Sequence, residues 1–267
     1  MAKQVPLLTL LTDFGSQDAY PAAMKGMILS LCPRARIVDI SHDVPAHDVV
    51  AGAFVLEQAA PYFPRGTVHV VVVDPGVGTD RRILVGRFDG RMYVFPDNGI
   101  ITLIAERGPA EELVVVRNPA YLPARAASAT FQGRDVFAPV VAHVLNGVDI
   151  RRLGPQPGTY RLLELPVYEE TEDEIVGQVV YVDSFGNLVS NIPAEAVHGR
   201  WLDLERVRGW CAGRTIGAIQ AAYGFAEEGQ PVLLFNSMGR VEVAVNRGRA
   251  CDVFQAGLGT VIRLTAR

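Results

Sequence analysis

The sequence predicts two unlike domains: an N-terminal α/β domain with a mainly parallel sheet and a smaller C-terminal all-β barrel domain. Three observations carry this. Apolar, β-branched runs alternate with helix-spaced segments over the first half of the chain. After Gly154 that alternation stops at Pro155, Pro157 and Pro166 and at the acidic run from Glu169 to Glu174. From Ile175 onwards short strand-like segments prevail between Gly, Asn and Asp turns, with little helical signal. The expected division is residues 1–160, an acidic linker over 161–174, and residues 175–267.

In the first domain, LLTLLT over Leu7–Thr12 reads as a buried strand ending in Asp13-Phe14-Gly15. Ala19, Ala22, Ala23, Met27 and Ile28 then fall on one helical face over residues 18–31, which Pro33 ends. Residues 35–40 (ARIVDI) are a second strand and 47–62 a second helix stopped by Pro64. Residues 67–73 form a third strand, followed by two more over 82–88 and 91–95 joined at Asp89-Gly90, a hairpin signal. Pro96-Asp97-Asn98-Gly99 leads into a short helix over 100–106, then a strand over 112–117. A loop with Pro119 and Pro123 precedes FQGRD (residues 131–135) and a helix over 136–145. In the second domain IVGQVVYVD, QPVLLFN, RVEVAVN and GTVIRLT read as strands, with a turn of helix after Pro193.

At 267 residues, 49% hydrophobic and 20% charged, the chain can bury a substantial core. The net charge of -4 and the lack of a Lys/Arg cluster argue against a nucleic-acid-binding face. Cys32, Cys211 and Cys251 lie far apart without CxxC or zinc spacing, so free thiols in a reducing cytoplasm are expected. The opening MAKQVPLLTLLTDFG has an apolar run too short for a secretory or membrane segment.

The stretch from Val70 to Arg82, VVVVDPGVGTDRR, organises the functional reading. Four valines suit a strand buried on both faces, and Pro75 stops it directly after Asp74. A carboxylate therefore stands at a strand's C-terminal end, where open α/β sheets bind ligands, and Arg81 and Arg82 can return to the same cleft. Asp13 and Asp97 end other strands, so three carboxylates are placed to converge. With His42 they could hold a divalent cation or accept hydrogen bonds from ribose hydroxyls. No HxH or DxH pattern is present, so the reading takes no metal and no cofactor. Simple turn formation accounts equally for Asp13 and Asp97, and a hydrogen-bonded loop histidine accounts for His42. Phe131-Gln132-Gly133 sits at a loop-to-helix junction whose backbone N–H groups can bind an anion or an oxygen lone pair. In the second domain Asp183-Ser184-Phe185-Gly186-Asn187 reads first as a hairpin turn, although Phe185 offers a stacking face and Asn187 both a donor and an acceptor.

Taken together, LTDFG, DISHDVPAHDVVAGAF, VVVVDPGVGTDRR, PDNG, FQGRDVFAP, VDSFGNLVSNI and FNSMGRVEVAVNRG resemble, in this order, the S-adenosyl-methionine hydroxide adenosyltransferases, relatives of the fluorinase and chlorinase. The resemblance implies the same two-domain fold. It also implies a homotrimer, or a dimer of trimers, with substrate held between one subunit's N-terminal domain and its neighbour's C-terminal domain. The implied reaction is in-line displacement at the ribose C5′ of S-adenosyl-L-methionine by water or hydroxide, giving adenosine and L-methionine. The implied catalytic set around the water is Asp74, Arg81 and the residue at 132. Halogenases carry tyrosine where this chain has Asp74, and a halide beside a carboxylate is repelled. By the same resemblance Asp13 holds the ribose hydroxyls, Asn187 contacts adenine, and Phe185 and Tyr223 contact the adenosine. Asp183 holds the methionine ammonium, Ser237 its carboxylate, Gly133 lies beside the nucleophile pocket, and Phe131 is a further substrate-binding candidate. Met238 stands where halogenases have arginine, and Glu242 is a further polar candidate on either the site or the solvent face. The family pattern has histidine at 132, where this chain has Gln132. Glutamine cannot take a proton near neutral pH. Retained or slowed hydrolysis, a binding protein without catalysis, a halide-using transferase and a metal-dependent phosphoesterase are the competing functions.

Overall fold

A computed structural model describes residues 5–122 and 130–266. The chain forms two compact units, Met1–Leu163 and Glu164–Arg267. The expected loop residue Pro123 lies outside the described residues.

In the first unit β1 (Leu7–Thr12), β2 (Arg36–Ser41), β3 (Val68–Val72), β4 (Ile83–Phe88), β5 (Arg91–Pro96) and β6 (Glu112–Val115) form one sheet in the order β2-β1-β3-β5-β4-β6. The first four in that order run parallel, and β4 pairs antiparallel with both β5 and β6. The valine run became a central strand because neighbours on both edges satisfy its backbone while its side chains are buried on both faces. The β4–β5 hairpin turns on Asp89 and Gly90, whose φ values of 44° and 67° are those of the expected tight turn.

The helices are α1 (Tyr20–Leu31), α2 (Val49–Ala59), α3 (Thr102–Ala105) and α4 (Ala138–Leu145). Met24 and Ile28 of α1 and Val140 and Val141 of α4 pack with Leu8, Leu10, Val70 and Val72 in one core. The helix expected over 136–145 is preceded by a π-helical turn, Gly133–Phe137, that runs directly into α4. Pro139 has no N–H to return to residue 135, which favours the wider turn there.

In the second unit β7 (Glu169–Glu170), β8 (Glu174–Val182), β9 (Leu188–Pro193), β10 (Val207–Cys211), β11 (Arg214–Gln220), β12 (Pro231–Phe235), β13 (Arg240–Val245) and β14 (Val261–Ala266) make the order β14-β10-β11-β12-β13-β9-β8-β7. Pairing of β14 with β8 closes the barrel. Ile175, Val179, Leu188, Leu233, Val243, Ile262 and Leu264 fill it. Two short helices, α5 (Ala194–Arg200) and α6 (Ala250–Phe254), complete the unit.

The acidic stretch is more ordered than its charge suggests. Glu169 and Glu170 pair with Val176 and Ile175 as β7, and Glu174 begins β8 with Arg263 Nη1 at 2.6 Å from its Oε2. Residues 161–163 belong with the first unit, where the Arg161 N–H donates to Asp97 Oδ1. Among the described residues no helix is long and apolar enough to cross a membrane.

Candidate active site

Parallel pairing of β1 with β3 brings the residues after both strands to one sheet edge. There a cavity of about 280 Å³ is lined by Asp13, Phe14, Tyr20, His47, Asp74, Val77, Phe131, Gln132, Gly133 and Phe137, among others. Five of the residues expected at the site, Asp13, Asp74, Phe131, Gln132 and Gly133, therefore share one wall system.

Asp74 is the fixed point. Its side chain is only 3% exposed. Arg81 donates to Asp74 Oδ2 from Nε at 2.7 Å and from Nη2 at 2.5 Å, and the Gly76 N–H donates to Oδ1 at 3.2 Å. The turn after β3 makes this possible, because the Val77 N–H returns to the Asp74 carbonyl and folds the chain back towards the strand end. Arg81 Nη2 also donates to Gln132 Oε1. One guanidinium thus joins the two residues expected to face the nucleophile. Arg81 is not itself among the cavity-lining residues.

The contact settles the orientation of the Gln132 amide. Guanidinium has donors only, so the oxygen must face Arg81 and the –NH₂ is the group left for another acceptor. Gln132 opens the π-helical turn, and widened turns of this kind often shape functional sites. Gly133 packs so closely that a Cβ there would lie 3.0 Å from the Phe14 ring. Phe14, Tyr20 and Phe131 form an aromatic wall with centroids 5.0 to 6.1 Å apart, in which Phe131 meets the other two rings edge-to-face.

The expected convergence of three carboxylates does not occur. Asp97 is bound by Arg82 through Nε at 2.7 Å and through Nη2, and by the Arg161 N–H. It holds the end of the first unit's chain and does not line the cavity. His42 is also structural: its Nδ1 lies 2.8 Å from Thr12 Oγ1 and its Nε2 3.1 Å from Asp39 Oδ1. Asp13, by contrast, accepts the His47 N–H on Oδ2 at 2.8 Å while facing the cavity. His47, Tyr20 and Val77 were not anticipated. No spacing signal marks them: His47 and Val77 lie in turns, and Tyr20 is the first residue of α1.

In the second unit Asp183–Asn187 is the hairpin turn between β8 and β9. The Asn187 N–H donates to Asp183 Oδ1 at 2.8 Å and its Nδ2 to Oδ2 at 2.9 Å. Phe185 projects into solvent from that turn. Glu242 is only 3% exposed and so does not occupy a solvent-facing strand position. It accepts from Tyr223 Oη at 2.9 Å on Oε1 and from Asn236 Nδ2 at 3.2 Å on Oε2. Burial, with the negative charge of Asp183 adding to it, raises the Glu242 carboxyl above its usual range. Partial desolvation, with the Glu242 carboxylate beside it, raises the phenol of the more exposed Tyr223. Asn236 Oδ1 accepts the Met238 and Arg240 N–H groups, which shapes the turn carrying exposed Ser237 and half-buried Met238.

These features define a two-unit α/β-plus-barrel protein with a guanidinium-clamped carboxylate in a cavity at the parallel sheet edge. The SAM hydroxide adenosyltransferase N-terminal domain model matches residues 8–154 and the corresponding C-terminal domain model residues 177–263. The chain belongs to the SAM hydroxide adenosyltransferase family. It is 37% identical to an (R)-S-adenosyl-L-methionine hydrolase of Salinispora arenicola, covering 98% of each chain. It is 25% identical to a fluorinase of Actinoplanes, covering 97% of each. Among solved structures, an uncharacterized conserved protein from Thermotoga maritima superposes with a TM-score of 0.89 at 35% identity, over 97% of this chain and 99% of that one.

Proposed function

We propose that the protein hydrolyses S-adenosyl-L-methionine to adenosine and L-methionine. The observation that carries this is the Asp74–Arg81–Gln132 set at the cavity that also contains Asp13. Water attacks the ribose C5′ and forms the new C–O bond. The C5′–S bond breaks with both electrons going to sulfur, so the sulfonium leaves as the neutral thioether of methionine. The water's proton passes towards the Asp74 carboxylate and then to solvent. The sulfonium needs no acid to leave, so the protein's task is to align and partly desolvate the nucleophile.

In this scheme the Gln132 –NH₂ donates to one lone pair of the water and Asp74 accepts one of its protons, leaving the second lone pair for C5′. Arg81 keeps both groups in register. Asp13 accepts the ribose hydroxyls. Asn187, Phe185 and Tyr223 serve the adenosine, while Asp183, Ser237, Met238 and Glu242 serve the methionine end. A homotrimer and a reducing, cytoplasmic setting are part of the same proposal; the three cysteines are free thiols.

The test is incubation with S-adenosyl-L-methionine, with and without a chelator, followed by chromatography. Adenosine plus methionine, insensitive to the chelator, is the expected result. Bound but unchanged substrate indicates a binding protein, halide-dependent 5′-halo-adenosine a transferase, and chelator sensitivity a metal enzyme. Sedimentation checks the trimer.

A further inference from the structure

Pro96-Asp97-Asn98-Gly99 follows β5 at the sheet edge that carries the cavity, and it grips the Asp74 loop at both ends. Residues 74–81 leave β3 and return to β4, closed on themselves by the Asp74–Arg81 ion pair. At the far end of this loop the Asp97 N–H donates to the Arg82 carbonyl at 2.9 Å, and the Asp97 carboxylate takes the Arg82 guanidinium. At the near end Asn98 Nδ2 donates to the Val73 carbonyl at 2.8 Å. That carbonyl belongs to the planar peptide group joining Val73 to Asp74, so the bond fixes the plane from which the Asp74 side chain projects.

A side chain supplies the donor because the backbone there cannot. Pro96 has no N–H, the Asp97 N–H serves Arg82, and the Asn98 N–H returns to the Pro96 carbonyl at 2.8 Å. Val73 is fully buried, so its carbonyl would otherwise be stranded away from water. The Asn98 amide is oriented as well: its oxygen accepts the Ile100 N–H at 3.1 Å, which leaves the –NH₂ for Val73. Val73 has no room to drift towards α2. A Cβ on Gly52 of that helix would lie 2.7 Å from Ile100 Cδ1 and 3.2 Å from Val73 Cγ2, so helix and strand end are already in close contact.

We propose that Asn98 is a positioning residue for the displacement. By holding the Val73–Asp74 peptide it sets where the Asp74 carboxylate meets Arg81 and, through Arg81, the Gln132 amide. That placement decides whether the water lies in line with C5′. Asn98 does not line the cavity, so it acts through Asp74 and not on the substrate. The inference rests on the reading of Asp74 as the acceptor for the water. A displacement of about 1 Å at such a group costs about 10²-fold in rate. The ribose acceptor Asp13 is held from another loop, by the His47 N–H, and does not depend on Asn98. The effect therefore falls on kcat and spares binding.

Two variants test this by steady-state kinetics, each assayed below its own unfolding transition. Asn98→Asp keeps the shape and the Ile100 contact but sets a carboxylate oxygen against the Val73 carbonyl. Asn98→Ala removes the amide without adding a charge. In both, kcat for adenosine formation should fall about 10²-fold, while KM and the calorimetric Kd for adenosine stay within about twofold of wild type. Asn118 supplies a matched control outside the cavity wall: its Nδ2 donates to the Arg152 carbonyl at 2.7 Å and its Oδ1 accepts the Ala120 N–H at 3.1 Å. Asn118→Asp breaks the same kind of brace and should leave kcat unchanged. An unchanged kcat in Asn98→Ala, a rise in KM or Kd as large as the fall in kcat, or an equal fall in Asn118→Asp overturns the inference while leaving the proposed function standing. Asn98 variants that both fail to fold assign this residue to stability alone and overturn it too. A wild-type protein that forms no adenosine removes the proposed function and the inference together.

Discussion

Replacing Arg81 by methionine removes the group that ties the site together. The guanidinium makes two hydrogen bonds to Asp74 and one to Gln132. The Asp74 and Arg81 side chains are 3% and 11% exposed, so little solvent screens the pair. Removing one partner of a buried ion pair costs about 3–5 kcal/mol, because the remaining charge is stranded away from water. At about 2–4 °C per kcal/mol for a unit of this size, Arg81→Met should lower the melting temperature by about 6–20 °C. Asp74→Asn alone should also destabilise, since it leaves a buried guanidinium short of its counter-charge. The double variant has no buried charge to strand, so it should recover about 2–3 kcal/mol relative to the sum of the single effects. Urea unfolding of the four proteins measures this coupling. Additivity to within about 0.5 kcal/mol would refute the view that Asp74 and Arg81 act as one buried unit. Adenosine formation by Arg81→Met, assayed below its unfolding transition, should fall by about 10²-fold because both nucleophile-facing groups lose their register.

Gln132→His should speed hydrolysis, up to the roughly 10²–10⁴-fold that a general base supplies, and an unchanged rate counts against the part given to that position. Asp13→Asn should raise KM by about 10- to 10²-fold with kcat little changed, the loss expected when charge-assisted hydrogen bonds to ribose become neutral ones. Steady-state kinetics separates the two effects. His69 predicts an acid limb in stability. Burial, with Arg91 adding to it, holds this imidazole down at about 3, against an ordinary value near 6.5. The unfolded chain takes up the proton first, so stability is complete above about pH 6.5 and is lost as pH falls towards 3, by up to about 5 kcal/mol. The urea midpoint followed over this range should fall less steeply in His69→Asn.

The α/β half was legible because its signals are local. The valine run before Asp74 suits a doubly buried strand, and Asp89-Gly90 is a hairpin signal; both elements form as read. The barrel was legible in outline and less so in detail. β10 was missed because Gly209 interrupts its pattern, yet the glycine is needed there: a Cβ would lie 2.8 Å from Leu233 Cδ2. Residues 169–170 read as solvated linker because their charge masks a short strand that pairs through its backbone alone. At the site, the strand end pointed to Asp74 with Arg81 and Arg82 both within reach, and only the family resemblance singled out Arg81. Asp97 gives the same signal, but Arg82 claims it, and no pattern tells which arginine returns to which carboxylate. His47 was invisible because its place depends on a left-handed backbone that sequence does not announce.

The central claim is that the chain delivers water to the ribose carbon of a nucleoside sulfonium. The most direct test is mass spectrometry of the adenosine formed from S-adenosyl-L-methionine in heavy-oxygen water. The account predicts a single heavy oxygen at the 5′ position and unlabelled methionine. Failure to form adenosine, or adenosine without the label, would contradict it.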